Sequence, residues 1–288
     1  MIDTVEELMK KVHLLEIKAR RLSRESFSGE YHTSFKGQGL DFEDFREYQH
    51  GDEIRFIDWN VTARMNLPHI RTFKEERELT VVLAVDISGS GKYGSQHYSK
   101  RELAAEIAAV LAFSAKHNGD KVGLLLFTDD TELYLPPEKS TKHTLRIIRE
   151  IIAAEPKSQA TSVSKACDFL SKTLKRKSLI FMLSDFMDHD FHKKLGAMSQ
   201  KHETVAIRIF DPLEEELPRA GKVNLSDPET GWQTVVNTNN SNVRMAYSKL
   251  NARRLEGLKK TFNKYKISNI SAATNKDYLP ALHRLFGK

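Results

Sequence analysis

TVVLAVDISGS, residues 80–90, is the stretch whose reading decides the fold. Its first six residues, 80–85, are a short, mostly apolar run rich in β-branched side chains, the length of a strand covered on both faces and too short for a buried helix. A carboxylate and two hydroxyls follow at once, on Asp86, Ser88 and Ser90, spaced by Ile87 and Gly89. Four runs of the same kind recur downstream: VGLLLF at 122–127, LIFML at 179–183, TVAIRIF at 204–210 and ISNISAA at 267–273. Helical periodicity fills the gaps at about 98–118, 140–154, 162–175, 189–202 and 241–265, with a last short helix at 278–286. The alternation predicts an α/β fold: a doubly wound, mostly parallel central sheet of five strands, covered by helices on both faces.

Outward from this core the patterning changes. Val5, Leu8, Met9, Val12, Leu15, Ala19 and Leu22 recur at three- and four-residue spacing, which predicts an amphipathic helix over 3–24. From there to residue 79 the chain is rich in glycine and aromatics, with short alternating pieces such as His69–Phe73 that read as turns and short strands. Pro212, Pro218, Gly221, Pro228 and Gly231 interrupt the alternation, and KVNL and WQTVV flank the turn-like SDPETG, the pattern of a β-hairpin insertion at about 212–238 near one rim of the sheet. The predicted organisation is an N-terminal helix and extension, 1–78, packed on an α/β domain, 79–288.

Composition excludes several classes. With 40% apolar and 29% charged residues the 288-residue chain is an ordinary globular one, and no run approaches the roughly 18 to 20 apolar residues of a membrane-spanning helix. The amino terminus, MIDTVEELMKK, has no apolar leader core, so the expectation is a soluble, cytoplasmic protein. The single cysteine, Cys167, has no partner for an intramolecular disulfide and reads as a small buried hydrophobe. The net charge of +6 is spread over helices, as with Lys18, Arg20 and Arg21 or Lys249, Arg253 and Arg254, in the manner of solvated faces. Nucleic acid is not an expected partner, and a basic-surface nucleic-acid binder stands as an alternative reading.

In an open parallel sheet, ligands bind beyond the carboxyl ends of the strands, where Asp86, Ser88 and Ser90 fall. Thr161, before the 162–175 helix, and Asp185, after LIFML, come from two further strand-end loops. Each has a plain structural reading, Thr161 as a helix N-cap and Asp185 as a turn acid or cap. Hard oxygen donors of this kind suit Mg²⁺ or Mn²⁺. Asp-x-Ser-x-Ser, then a Thr, then an Asp resembles the metal-ion-dependent adhesion site of von Willebrand factor A domains. The resemblance implies that Asp86, Ser88, Ser90, Thr161 and Asp185 hold a divalent ion directly or through water, with a position left for an acidic residue of a partner.

A second resemblance covers most of the chain. GLDFEDFREYQHGDEIRFIDWNVTARMNLPHIRTFKEERE at 39–78, GDKVGLLLF at 119–127 and DPLEEELP at 211–218 are similar to domain-of-unknown-function family 58, in which such a segment precedes an adhesion-type domain. That family's association with MoxR-type AAA+ ATPases implies a non-enzymatic partner or adaptor in complex assembly or chaperone-like work. Within the first segment, Arg46, Asp52, Arg55, Asp58 and Trp59 are read as structural: a hydrogen-bonded charge network pinning the extension to the sheet, with Trp59 as a buried anchor.

Enzyme readings meet specific obstacles. GSGK at 89–92 resembles the end of a phosphate-binding loop, but Asp86 stands where its first glycine belongs and Tyr93 where a Ser or Thr should follow the lysine. A Mg²⁺-dependent phosphotransferase or hydrolase of the haloacid dehalogenase type, the alternative, needs a second carboxylate two residues after the first, and that position is Ser88. No G-x-S-x-G frame surrounds Ser88 or Ser90. His189 and His192, next to Asp185 in sequence, read as a solvated pair.

Overall fold

In the computed structural model of the protein, residues 14, 18–22, 40–75, 78–95 and 98–286 are described. They fall into two compact units, Phe35–Leu79 and the remainder, with Thr80–Lys288 as the larger part of the latter. Residues 18–22 are helical and belong with the larger unit: Ala19 and Leu22 are buried, and Lys18 Nζ pairs with Glu106 at 2.6 Å. The rest of the helix expected over 3–24 lies outside the described residues, Leu14 excepted.

The smaller unit is an antiparallel pair, β1 (Leu40–Glu47) and β2 (His69–Glu75), running from Leu40 opposite Glu75 to Glu47 opposite His69 with a register shift between Phe42 and Asp44. A short helix, α1 (Trp59–Met65), lies between them in sequence. Asp58 caps it by accepting from the Asn60 and Val61 amides, and Asn66, left-handed at φ 57°, ends it.

In the larger unit a six-stranded sheet runs β10-β7-β6-β3-β4-β5. The parallel strands β3 (Thr80–Asp86), β4 (Lys121–Phe127), β6 (Leu179–Ser184), β7 (Glu203–Phe210) and β10 (Ser268–Ala273) are the five expected ones. The sixth, β5 (Thr131–Glu138), pairs antiparallel with β4 at the sheet edge and was not expected from the sequence. Its Pro136 and Pro137 read against a strand, but they sit beside a register irregularity on an edge, where a missing N–H costs no ladder bond.

Helices cover both faces. Val82, Ala84, Ile180, Met182 and Ala206, alternate residues of three strands, share one core cluster with α4 (Val163–Thr173), α5 (His192–Lys201) and α6 (Ser241–Lys264). On the opposite face Phe181 meets Phe286 of α7 (Leu279–Phe286) edge-on at 6.3 Å, and α2 (Lys100–His117) packs on α3 (Thr141–Ala153). β8 (Lys222–Ser226) and β9 (Gln233–Asn237) form the expected hairpin, separate from the main sheet. The fold is therefore the doubly wound α/β architecture with a hairpin insertion.

Gly196 on α5 gives a test of this packing. A Cβ there would overlap the ring of Tyr265, just past α6. Gly196→Ala should destabilise by about 1–3 kcal/mol through overpacking, in spite of the gain of about 1 kcal/mol in helix propensity. The urea midpoint is expected to fall in the wild-type background and to hold or rise in Tyr265→Ala, where the methyl has room.

Candidate metal centre

The chain leaves β3 toward β4 on one side, while β6 and β7 lie on its other side, so the carboxyl ends of β3 and β6 flank the point where the winding reverses. Asp86 ends β3 and Asp185 directly follows β6, and the parallel register that sets Val85 beside Leu183 brings both acids to the same rim. Asp86 Oδ1 accepts from the Ser88 amide at 3.0 Å and Oδ2 from the Ser184 hydroxyl at 2.7 Å. Ser88 and Ser90 are buried, with their hydroxyl oxygens 3.3 Å apart. After Asp185 the chain turns through Phe186, left-handed at φ 53°, a conformation that costs a bulky residue about 1–3 kcal/mol. The packing of its ring against Phe191 and Phe262 holds it there.

Asp185 is buried beside an unanticipated partner. Lys100, the first residue of α2, places Nζ 2.7 Å from Asp185 Oδ2 and 2.6 Å from Glu214 Oε1, with all but 3% of its side chain covered. Glu214 ends a short 3₁₀ turn, Pro212–Glu214, after β7. Burial alone would lower the Lys100 pKa, but the charges of Asp185 and Glu214 outweigh it and raise it. Burial opposes ionisation of Asp185 too, yet Lys100, with a further hydrogen bond from Ser90, holds that carboxyl below its usual range. Asp86 goes the other way: burial of its carboxyl, and then the Asp185 charge, push it up to about 7.

Thr161 is not the cap of α4. Ser162 is, accepting from the Lys165 amide, and the Thr161 hydroxyl instead donates to Glu229 Oε1 at 2.9 Å. Glu229 comes from the tip of the β8–β9 hairpin. The same tip reaches the Asp86–Ser90 loop, since a Cβ on Gly89 would lie 2.6 Å from the Pro228 carbonyl oxygen and 2.7 Å from Gln159 Oε1. Gly89 N–H also donates to the Gln159 carbonyl at 2.9 Å, tying the first and second loops together. The Glu229 pKa is raised, by burial first and then by the charges of Asp185, Asp227 and Asp188, against the lowering effect of the Thr161 bond.

The five residues singled out from the sequence thus lie on three loops at one rim, Asp86, Ser88, Ser90 and Asp185 in one connected polar network and Thr161 beside it through Glu229. Among the described residues no three His, Cys, Asp or Glu side chains group as a metal site, so any cation held here would need the hydroxyls of Ser88, Ser90 and Thr161. The donor set fits one. It is all oxygen, with the Asp86 and Asp185 carboxylates beside the Ser88 and Ser90 hydroxyls, although Lys100, Arg101 and Arg254 set positive charge against the neighbouring acids. A cavity of about 20 Å³, large enough for a single water-sized particle, is lined by Asp86, Ser90, Lys100, Ser184 and Asp185 among others. Lys100, Ser184, Glu214 and Glu229 escaped the sequence reading. A lysine opening a helix, where the dipole disfavours a cation, was the one local signal.

The other candidate groups resolve plainly. Burial, then Asp168 and Asp188, push the Cys167 thiol up, as suits a core side chain. His189 is exposed, and His192 contacts Thr261 at 3.0 Å. In the smaller unit Arg46 forms a two-bond pair with Asp52 at 2.9 and 2.7 Å, and Arg71 binds Asp58 at 2.7 Å. Two expectations are corrected there. Trp59 is no buried anchor but 67% exposed, and Arg55 joins no network with Arg46, Asp52 or Asp58 but pairs with its neighbour Glu53. Each of these contacts is local to the extension.

Residues 44–256 match the family described as protein of unknown function DUF58. The chain belongs to that family. An uncharacterized protein of Mycobacterium tuberculosis is 31% identical over 229 residues, 78% of this chain and 72% of its own length. Among solved structures, an aerotolerance-related membrane protein from Bacteroides fragilis superposes with a TM-score of 0.50 at 16% identity, over 73% of this chain and 96% of that one. The VWA domain of SpRpn10 matches 71% of this chain and 93% of its own at 12% identity, with a TM-score of 0.42.

The Bacteroides fragilis protein overturns the cytoplasmic assignment made from the amino terminus. The same fold there belongs to a protein described as membrane-related, so a terminus without an apolar run does not set the compartment. No helix among the described residues is long and apolar enough to cross a membrane.

The electrostatics of the site are open to titration. An acid whose pKa is raised from 3.8 to about 7 on folding keeps a proton that the unfolded chain has released, so stability falls as pH rises across that interval. In EDTA, wild-type stability should drop relative to Asp86→Asn between about pH 4 and pH 7 and run parallel to it above. Parallel urea-denaturation curves throughout would show that Asp86 carries no such burden.

Proposed function

We propose that this DUF58 chain is a non-enzymatic protein-binding module whose ligand site is completed by Mg²⁺ or Mn²⁺, working as partner or adaptor of a MoxR-type AAA+ ATPase. The observation that carries the reading is the convergence of Asp86, Ser88, Ser90 and Asp185 at the switch point of the sheet. The position two residues after Asp86 holds Ser88, whose hydroxyl lies beside that of Ser90. GSGK forms a 3₁₀ turn, Gly89–Lys92, with Lys92 exposed, and Asp86 and Tyr93 stand where a nucleotide loop needs its first glycine and its Ser or Thr.

When bound, the cation would offer a coordination position to an acidic residue of the partner. Asp86 and Asp185 would hold it with the Ser88, Ser90 and Thr161 hydroxyls, and Lys100 would keep Asp185 ionised and oriented. The choice of an AAA+ partner rests on the family association. The description of the Bacteroides fragilis structure supports placing the work beside a membrane.

Two measurements follow. An ion that binds only the folded chain stabilises it by about 2.7 kcal/mol when free metal is a hundredfold above Kd, so the melting temperature should climb with Mg²⁺ or Mn²⁺, and Asp86→Asn should lose most of that rise. A full metal-dependent rise in the variant would refute the site. Retention of the AAA+ partner in a pull-down should likewise require the divalent ion, and unchanged capture in excess EDTA would refute the metal-dependent mode.

A further inference from the structure

The two edges of the six-stranded sheet are built differently. β5 closes one of them with Pro136, Pro137 and an irregular register. β10 ends the other without a proline and in unbroken register with β7 from Ser268 to Ala273. The Thr274 N–H donates to the Phe210 carbonyl at 3.0 Å, so strand alternation turns the N–H and C=O groups of Asn269 and Ser271 away from β7. Among the described residues these outward groups have no backbone partner. Ser268–Ser271 floor a groove of about 820 Å³, walled by Lys259, Phe262 and Lys266 on the α6 side and by Ala281 and Arg284 of α7 on the other. At about 3.3 Å per residue that floor is about 13 Å of open edge. Lys259, Lys266 and Arg284 are exposed, and among the described residues none of them pairs with an acid and no acid lines the groove.

We propose that this edge is a docking surface separate from the metal site, which takes an extended acidic segment of a partner protein as an added strand beside β10. The unpaired peptide groups of Asn269 and Ser271 call for a strand, since only another extended backbone satisfies them in series. The cations on both walls call for carboxylates on that strand. Half-buried Ile270 and Leu285 offer apolar surface to its other side chains. A second copy of this chain fits less well, because it would bring the same cations to the same edge. Nucleic acid would use the cations and leave the peptide groups of β10 unpaired. The proposal needs no ion at Asp86, and β7 and β6 stand between β10 and β3.

The probe is a fluorescein-labelled peptide of alternating valine and glutamate, added to the full chain in EDTA so that the metal site plays no part. Its anisotropy should show saturable binding that weakens as salt is raised. The same peptide with lysine for glutamate should bind at least about tenfold more weakly. Of two versions N-methylated on the valine or on the glutamate amides, at least one should lose about tenfold, because the amides that face β10 can no longer donate. Ser271→Pro removes an outward N–H at an edge position that tolerates proline, and should weaken binding by about tenfold with the thermal melt unchanged. Lys259→Glu combined with Arg284→Glu should reverse the preference between the glutamate and lysine peptides. No saturable binding of the glutamate peptide, equal binding of both methylated versions, or full binding by a folded Ser271→Pro chain would overturn the proposal. So would single-stranded DNA that binds more tightly than the peptide and is lost on charge reversal, or a wild-type dimer that Ser271→Pro dissociates. Should Ser271→Pro fail to fold, the methylated peptides and the charge reversal decide. None of these outcomes bears on the Asp86 site, which stands or falls with the metal-dependent melt.

Discussion

Two buried acids that the sheet forces together govern this site. Parallel pairing of β3 with β6 fixes Asp86 and Asp185 at the same rim, and a one-residue slip of either strand would exchange the side chains packed on the two faces of the sheet. The core therefore determines where the charges go, and the surroundings answer to them. Lys100 is placed at the start of α2 against the preference of the helix dipole, because Asp185 and Glu214 lie on either side of its ammonium. Ser184 and the Ser88 amide spend their hydrogen bonds on Asp86, and Ser90 turns to Asp185.

The two acids are not equivalent. Lys100 holds Asp185 in its charged form, whereas Asp86 faces that charge with only neutral donors and is pushed toward its protonated form. On the proposed reading, the fixed carboxylate would orient an added cation, and the positive charge would favour ionisation of the other. The left-handed turn at Phe186 serves the same end, since its aromatic packing on Phe191 and Phe262 carries the cost of aiming the loop that bears Asp185.

The smaller unit is built on different terms. Its charges close on themselves, Arg46 with Asp52 and Arg71 with Asp58, and Asp58 doubles as the cap of α1. Ile54, Trp59, Met65 and Leu67 are left exposed, so the aromatic and charged residues that made this segment look like an anchored network instead shape a small sheet and a helix turn.

How much was legible beforehand follows the range of the forces involved. Apolar runs, helical periodicity and turn residues are local, so the five parallel strands, the covering helices and the SDPETG hairpin could be read in order, and the Asp86, Ser88 and Ser90 triplet stood out because it ends such a run. The β5 strand was hidden by Pro136 and Pro137, whose penalty vanishes only on an edge, and edge position is a property of the assembled sheet. Trp59 looked like an anchor because large aromatics usually are. Lys100, Glu214 and Glu229 carried no usable mark, since each acquires its role from a partner far along the chain: 85 residues separate Lys100 from Asp185, and 68 separate Thr161 from Glu229. By itself the sequence determined the five parallel strands, their covering helices and which three loops end at one rim, because burial patterns are set residue by residue. Tertiary structure alone decided which charges meet there, because Coulomb forces and hydrogen bonds act on distances in space, and folding, not chain order, sets those.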